Sequence, residues 1–276
     1  GSISTKKAGE ILNAAFKNKK VRAPTFYIKY GPPASGKGGI MTKTLVKDGL
    51  TDKSLITVEV DSIIESNPEY INERTRLLRA KRRADPTSID TALSKLYWHY
   101  RKEADIISDQ ILNDALLKGF DIAWETTGST IAWTVKEIKR IQKEGYNVTL
   151  VYPLVPVDKL VSRASERETQ TGQTPATEEE IRSGVTRAIN NLVKVLNYVD
   201  NIYIYDNSGN KGEENLVIEV NNVWDWTTED SENGPGLKRT VICNCDKLSN
   251  ELSSQFADEI MTVLNDICKN TCDIPT

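Results

Sequence analysis

Histidine and methionine are nearly absent from this 276-residue chain, with one His and two Met. A single histidine excludes a histidine metal cluster, and the setting of His99 in Tyr97-Trp98-His99-Tyr100 favours packing over catalysis. Long apolar runs are missing too, so no segment reads as a membrane span and no membrane partner is expected. No signal-peptide pattern opens the chain, and Gly1-Ser2 reads as a cloning remnant. The expectation is a cytoplasmic protein whose natural N-terminus extends further. Neither sign of charge dominates: 36 Lys and Arg face 39 Asp and Glu, a net charge of -3, which gives no global electrostatic case for nucleic acid. Cysteine is absent before Cys243, and the remaining three are Cys245, Cys268 and Cys272. Cys-x-Cys on a strand and Cys-x-x-x-Cys on a helix each put both sulfurs on one face, so a zinc site or a disulfide pair stays open. Neither spacing is that of a zinc ribbon, and free thiols are the favoured reading.

The most informative segment is Thr25–Gly39, TFYIKYGPPASGKGG. A β-rich run ends at Gly31, and Gly31-Pro32-Pro33-Ala34-Ser35-Gly36-Lys37 leads into a helical pattern through Gly38 and Gly39. This is the pattern of a phosphate-cradling loop. Backbone N–H groups and a helix N-terminus face a polyphosphate, and Lys37 reaches its outer phosphates. Gly38 stands where a Ser or Thr usually holds Mg²⁺. Small-molecule kinases of the adenylate kinase type tolerate glycine there and hold the metal largely through water. ATP and Mg²⁺ are therefore the expected ligands.

Short apolar segments at 25–30, 55–60, 120–124, 147–152 and 201–205 alternate with helical patterns at 37–47, 70–84, 90–118, 130–144, 156–168 and 177–198. A further helix opens the chain over 5–19. Such alternation predicts an α/β fold, a parallel sheet with helices on both faces. Residues 213–245 read as two strands and 246–269 as a helix, a small strand-strand-helix extension. The expected division is a kinase-type domain over 1–208 and an extension over 209–276 packed on it.

Polar residues gather where the strands of such a sheet end: the phosphate loop, Asp61, Glu125 and Asp206-Asn207. A carboxylate at Asp61 is suited to accept the proton of an acceptor hydroxyl, its alternative being a helix cap. Glu125, followed by Thr126 and Thr127, is suited to organise Mg²⁺ through water, and Thr127 to touch the substrate. Arg163 and Arg167 share a helix face, and the polar segment 168–177 after them reads as a lid that carries positive charge to a transferring phosphoryl group. Arg182 and Arg187 are candidates to reinforce it; surface ion pairing is the alternative. Arg74, Arg76, Arg79, Lys81, Arg82 and Arg83 form a basic run, read as a solvated face or as a pocket for an anionic acceptor or nucleic-acid end.

In this order the motifs resemble the zeta-toxin family of P-loop kinases. The resemblance rests on the phosphate loop, on Asp61-Ser62 with Asn67-Pro68-x-Tyr70, and on Trp124-Glu125-Thr126-Thr127. It continues through Arg163-x-x-x-Arg167, Gly172-Gln173-Thr174-Pro175 and Tyr205-Asp206-Asn207-Ser208, covering roughly residues 20–208. It implies an ATP-dependent kinase acting on a hydroxyl, with nucleotide sugars such as UDP-N-acetylglucosamine as the family's best-known acceptors. It also implies Lys37 on the phosphates, Asp61 as base, Arg163 and Arg167 on the transferred group, Asn207 beside the nucleotide and Asp109 as an acidic substrate contact. An inhibitory, antitoxin-like partner would follow from the same resemblance. Ile64, Ser129 and Gln173 stand where the family carries arginines, which bears on the acceptor rather than on phosphoryl transfer.

The leading reading is a kinase moving the γ-phosphoryl of ATP to a small, anionic acceptor. A polynucleotide end kinase rests on the basic run alone. A nucleotide-binding interaction module without turnover is a third reading, and a GTP switch lacks an Asn-Lys-x-Asp signature.

Overall fold

The computed structural model describes residues 1–16, 22–81, 85–171, 176–230, 234–250, 252, 258–269 and 272. Arg82, Arg83 and the segment Gly172-Gln173-Thr174-Pro175 lie outside the described residues.

Seven strands form one sheet in the order β2-β3-β1-β4-β5-β6-β7. They are β1 (Thr25–Tyr30), β2 (Leu55–Val58), β3 (Asp121–Thr126), β4 (Asn147–Leu154), β5 (Asn201–Asp206), β6 (Asn215–Asp230) and β7 (Gly234–Cys243). The first five pair in parallel and the last two antiparallel, so the C-terminal strands continue the same sheet beyond β5. Central β1 and β4 are buried almost along their whole length, as strands covered on both faces must be.

The described helices are α1 (Thr5–Phe16), α2 (Lys37–Lys47), α3 (Val60–Glu65), α4 (Pro68–Lys81), α5 (Pro86–Lys118), α6 (Ile131–Lys143), α7 (Val157–Thr171), α8 (Glu178–Val195) and α9 (Asp258–Cys268). None is long and apolar enough to cross a membrane. The larger core joins Phe26, Ile28, Leu150 and Ile204 of the sheet to Leu112 of α5, Ile138 of α6, Ile189 of α8 and Leu264 of α9. On the opposite side, Tyr27, Val151 and Tyr205 meet Ile40, Met41 and Leu45 of α2. A third cluster, Ile64, Tyr70 and Ala104, binds α3 and α4 to α5. Fully burying each such aliphatic side chain contributes about 1.5–3 kcal/mol, so these clusters set where the loops between them stand.

Local sequence explains several boundaries. Asp85 caps α5 by accepting from Thr87 N at 3.2 Å, with Pro86 at the first helical position, and Gly119 at φ 71° ends it. The second strand ends earlier than the apolar run suggests: Val60 and Asp61 belong to α3 rather than to β2. Third-strand pairing extends through Glu125 to Thr126, because both residues find partners on β1.

Expecting free thiols was wrong. Cys243 at the end of β7 is disulfide-bonded to Cys268 at the end of α9, and Cys245 to Cys272. Antiparallel β6–β7 pairing and the packing of α9 on the larger core bring together sulfurs that sequence spacing alone left unassigned. Cys245 sits in a 3₁₀ turn and Cys272 beyond the end of α9, so neither pair shares one strand or one helix face.

Candidate functional site

The order of the sheet reverses at β1, which lies between β3 and β4, and ligands of open α/β sheets bind at such a switch point beyond the strand C-termini. The loop from Gly31 to Gly36 leaves β1 here and turns into α2. It demands unusual backbone: Ala34 has φ 61° and Gly36 φ 78°. A Cβ on Gly36 would also overlap the side-chain nitrogen of Asn207. Glycine at 36 therefore serves both the left-handed turn and a close approach.

Lys37 opens α2 and is buried. Its Nζ donates to Gly31 O at 3.0 Å and pairs with Glu125 Oε1 at 2.7 Å. Burial lowers the Lys37 pKa. The Glu125 carboxylate opposes that shift, and the charges of Lys29 and Arg167 add to it. Lys29, buried on β1, is itself paired with Glu59, which also accepts from Ser62 Oγ at 2.9 Å. The Glu59 pKa is lowered: burial alone would raise it, and the Lys29 and Ser62 hydrogen bonds outweigh that.

Asn207 acts on the loop from behind. Its Nδ2 donates to Ser35 O at 2.6 Å, and its backbone N–H to Leu154 O at 2.9 Å. Arg163 of α7 donates through Nη2 to Asn207 O at 3.1 Å. Its Nη1 is buried with no hydrogen-bond partner among the described residues, and the same holds for Ser35 Oγ. That Nη1 lies 3.7 Å from the position of a Cβ on Gly36. Burial lowers the Arg163 pKa. A buried guanidinium nitrogen and a buried hydroxyl without partners are costly, and an anion in the loop would satisfy them.

Asp61, in the first turn of α3, is exposed and accepts from Tyr97 Oη at 2.7 Å. Arg101 Nη1 donates to the same Tyr97 oxygen at 2.6 Å, and Arg101 Nε to Asp105 at 2.9 Å. Burial and the Asp61 carboxylate push the Tyr97 pKa up to about 12. Asp61 does not cap α3, which removes the alternative reading of that residue. Sequence inspection missed Tyr97, Arg101, Lys29 and Glu59; the four-residue spacing of Tyr97, Arg101 and Asp105 on α5 was the available signal.

A cavity of about 680 Å³ opens beside the loop, with Pro32, Pro33 and Ala34 on one wall and Thr127, Arg167 and Arg187 among the others. Thr127 Oγ1 lies 3.0 Å from Ser129 Oγ, on a turn held to α8 by Asn191 Nδ2 donating to Gly128 O at 2.6 Å. Arg182, in contrast, is an exposed partner of Glu178 at 2.8 Å. Within the basic run, Arg74 pairs with Glu65, Arg76 with Glu73, and Lys81 with Asp90 and Glu168. Asp109 is exposed on α5, one turn beyond Asp105. Gly38 has open space where a side chain would stand, while a Cβ on Gly39 would overlap Glu214. Buried Ile64 packs with Tyr70 and Ala104, so its position serves the core and offers no charge.

No curated protein is matched by the sequence. A solved structure from the PezAT chromosomal toxin–antitoxin system of Streptococcus pneumoniae aligns with a TM-score of 0.54 at 14% identity, over 96% of this chain and 94% of that one. A structure of AvrRxo1-ORF1:ORF2 with ATP aligns at 0.46 and 14% identity, over 78% of this chain and 63% of its own. The same pair with sulphate ions aligns at 0.48 and 14% identity, over 95% and 76%. The sheet with its flanking helices is thus the P-loop kinase-like fold of the PezAT neighbour. The sequence matches the Zeta toxin family over residues 10–213, which carry the phosphate loop, Asp61, Glu125 and both α7 arginines, and the chain belongs to that family.

Proposed function

We propose that the protein is an ATP-dependent kinase that transfers the γ-phosphoryl group to a hydroxyl of a small, anionic acceptor such as a nucleotide sugar. The observation that carries this reading is a pair of buried polar groups left without partners at the loop. Among the described residues, Arg163 Nη1 and Ser35 Oγ are buried without partners beside the left-handed turn at Gly36, next to a buried lysine. Loop amides and the α2 N-terminus offer further donors to the β- and γ-phosphates. Lys37 would exchange Glu125 for phosphate oxygens on binding.

Asp61 is assigned as general base. Tyr97 occupies its Oδ1, leaving Oδ2 for the acceptor hydroxyl, whose proton it accepts as the oxygen attacks phosphorus. Arg163 and Arg167 are assigned to the charge that spreads over the transferred phosphoryl oxygens. Arg167, Arg187 and Thr127 line the adjoining cavity beside Glu179 and Glu180, and its two guanidinium groups support an anionic acceptor. Asp109 remains a candidate acceptor contact.

Donor chemistry near the loop fits a magnesium ion held mainly by water and nucleotide. Glu125 is a carboxylate at the phosphate side, and Gly38 contributes no hydroxyl. When bound, the ion neutralises charge on the β- and γ-phosphate oxygens. The PezAT neighbour belongs to a toxin–antitoxin system, which supports an inhibitory partner protein for this chain. Incubation with γ-labelled ATP, Mg²⁺ and a panel of nucleotide sugars, beside 5′-hydroxyl oligonucleotides, tests the acceptor. Label on a sugar nucleotide is expected; label only on oligonucleotide ends would replace this acceptor class by nucleic acid.

A further inference from the structure

The structure assigns a thiol–disulfide exchange site to the Cys243–Cys268 cleft, coupled through Ser249 to the phosphate loop. The coupling to nucleotide rests on the ATP reading above. Three facts support it: where the sulfurs sit, what lines the cleft, and what the C-terminal chain holds.

Cys243 and Cys268 line a cleft of about 520 Å³, together with Arg239, Asp266 and Lys269. A small thiol therefore has room to reach this disulfide, and the two cations favour its thiolate. Cys243 is half-buried and is the sulfur the cleft exposes, while Cys268, Cys245 and Cys272 are buried at 5%, 6% and 1% exposure. Sulfurs of Cys243, Cys268 and Cys272 lie within 4.8 Å of one another, so the accessible bond adjoins the buried one.

Exchange can pass along these atoms without an added oxidant. A low-molecular-weight thiolate attacks Cys243 Sγ and forms a mixed disulfide, and the Cys243–Cys268 bond breaks with its electron pair on Cys268. The Cys268 thiolate attacks Cys272 Sγ, forming Cys268–Cys272 and expelling Cys245 as a thiolate that takes a proton from water. One thiol and two disulfides enter; two disulfides and one thiol leave.

Cys245 opens the 3₁₀ turn that ends at Lys247, two residues before Ser249. Ser249 N donates to Asp206 Oδ2 at 2.7 Å, and Ser249 Oγ lies 2.9 Å from Ser208 Oγ. The other Asp206 oxygen accepts from Ser208 N and Oγ at 2.9 and 2.6 Å. Asp206 is 3% exposed, so its carboxylate depends on these donors. Asn207, the next residue, holds the carbonyl of Ser35. Release of Cys245 thus loosens the turn that anchors Asp206, and with it the support behind the phosphate loop. Ser249 and Asp206 are positioning residues in this arrangement.

The test compares the full chain before and after dithiothreitol, with disulfides read by non-reducing peptide mass spectrometry. Two readouts are taken: ATP affinity with Mg²⁺ by calorimetry, and hydrogen–deuterium exchange of residues 31–39 without nucleotide. Reduction is expected to speed loop exchange and to weaken ATP binding about fivefold, the scale of one hydrogen bond to a charged group. Ser249→Pro, which keeps both disulfides and removes the N–H that Asp206 accepts, is expected to do the same in the oxidised protein and to respond little to reductant. Cys243→Ser/Cys268→Ser is expected to retain tight binding and to resist reductant. Loop exchange unchanged after both disulfides open, or four free thiols in the protein before reduction, would overturn the inference. Faster loop exchange with no ATP binding in any form would uphold the coupling and contradict the ATP reading instead.

Discussion

Tyr97 Oη donates to Asp61 Oδ1 at 2.7 Å while receiving a hydrogen bond from Arg101 at 2.6 Å, so the candidate base is oriented from α5 rather than from its own helix. The geometry makes Tyr97 a positioning residue. Tyr97→Phe is expected to lower kcat about tenfold, the scale of one hydrogen bond to a charged group, while the KM for ATP stays within twofold or so. Steady-state kinetics with saturating acceptor reads this split; a rise in the KM for ATP at unchanged kcat would contradict it.

Lys37 and Glu125 form a pair with a pH signature. Burial lowers the Lys37 pKa, and Glu125 opposes that by favouring the charged form. Removing the carboxylate leaves desolvation and the neighbouring cations unopposed, so the folded pKa falls further. Glu125→Gln is therefore expected to move the alkaline limb of kcat/KM for ATP to lower pH, as a pH–rate profile would show. Lys37→Ala is expected to lower kcat/KM by about a hundredfold or more, with a melting temperature close to that of the parent protein.

Three glycines flanking Lys37, at 36, 38 and 39, separate sterics from chemistry. Gly38→Ser enters open space and is expected to leave stability within about 0.5 kcal/mol of the parent. Gly39→Ala meets the buried Glu214 carboxylate and is expected to cost about 1–3 kcal/mol. Gly36→Ala adds a left-handed backbone penalty of about 1–2 kcal/mol to the overlap with Asn207, and ATP binding is expected to be lost with it. Denaturant unfolding of the three variants gives the order directly.

Buried phenols predict the alkaline limit of the fold. Burial raises the pKa of Tyr27, Tyr30, Tyr152, Tyr203 and Tyr205, and Tyr97 reaches about 12. A raised folded pKa gives stability that is complete below the unfolded value near 10 and is lost as pH rises through the folded one. Stability is expected to be flat with respect to these groups at neutral pH and to fall above about pH 10. Phenolate absorbance rising together with loss of helical circular dichroism would bear this out; early ionisation of most tyrosines in a folded protein would not.

Periodicity made the sheet legible because the central strands are short, apolar and bounded by glycines, and 25–30 emerges as β1 residue for residue. Glu125 was legible as a strand-end acid because it directly follows the apolar run Ile122-Ala123-Trp124. What the sequence concealed was contact at long range. Tyr97 is 36 residues from Asp61, and Asn207 is 172 from Ser35, so neither bond has a local pattern. The cysteines were misread for the same reason: their pairing follows from β7 and α9 meeting across the C-terminal chain, which spacing does not encode.

Phosphoryl transfer by wild-type protein and Asp61→Asn, measured side by side with γ-labelled ATP, Mg²⁺ and a small-metabolite extract, tests the central claim most directly. The account predicts a new labelled metabolite with wild type that is lost in Asp61→Asn, while both proteins bind ATP alike. ATP bound by wild type with no label moved to any acceptor would contradict it.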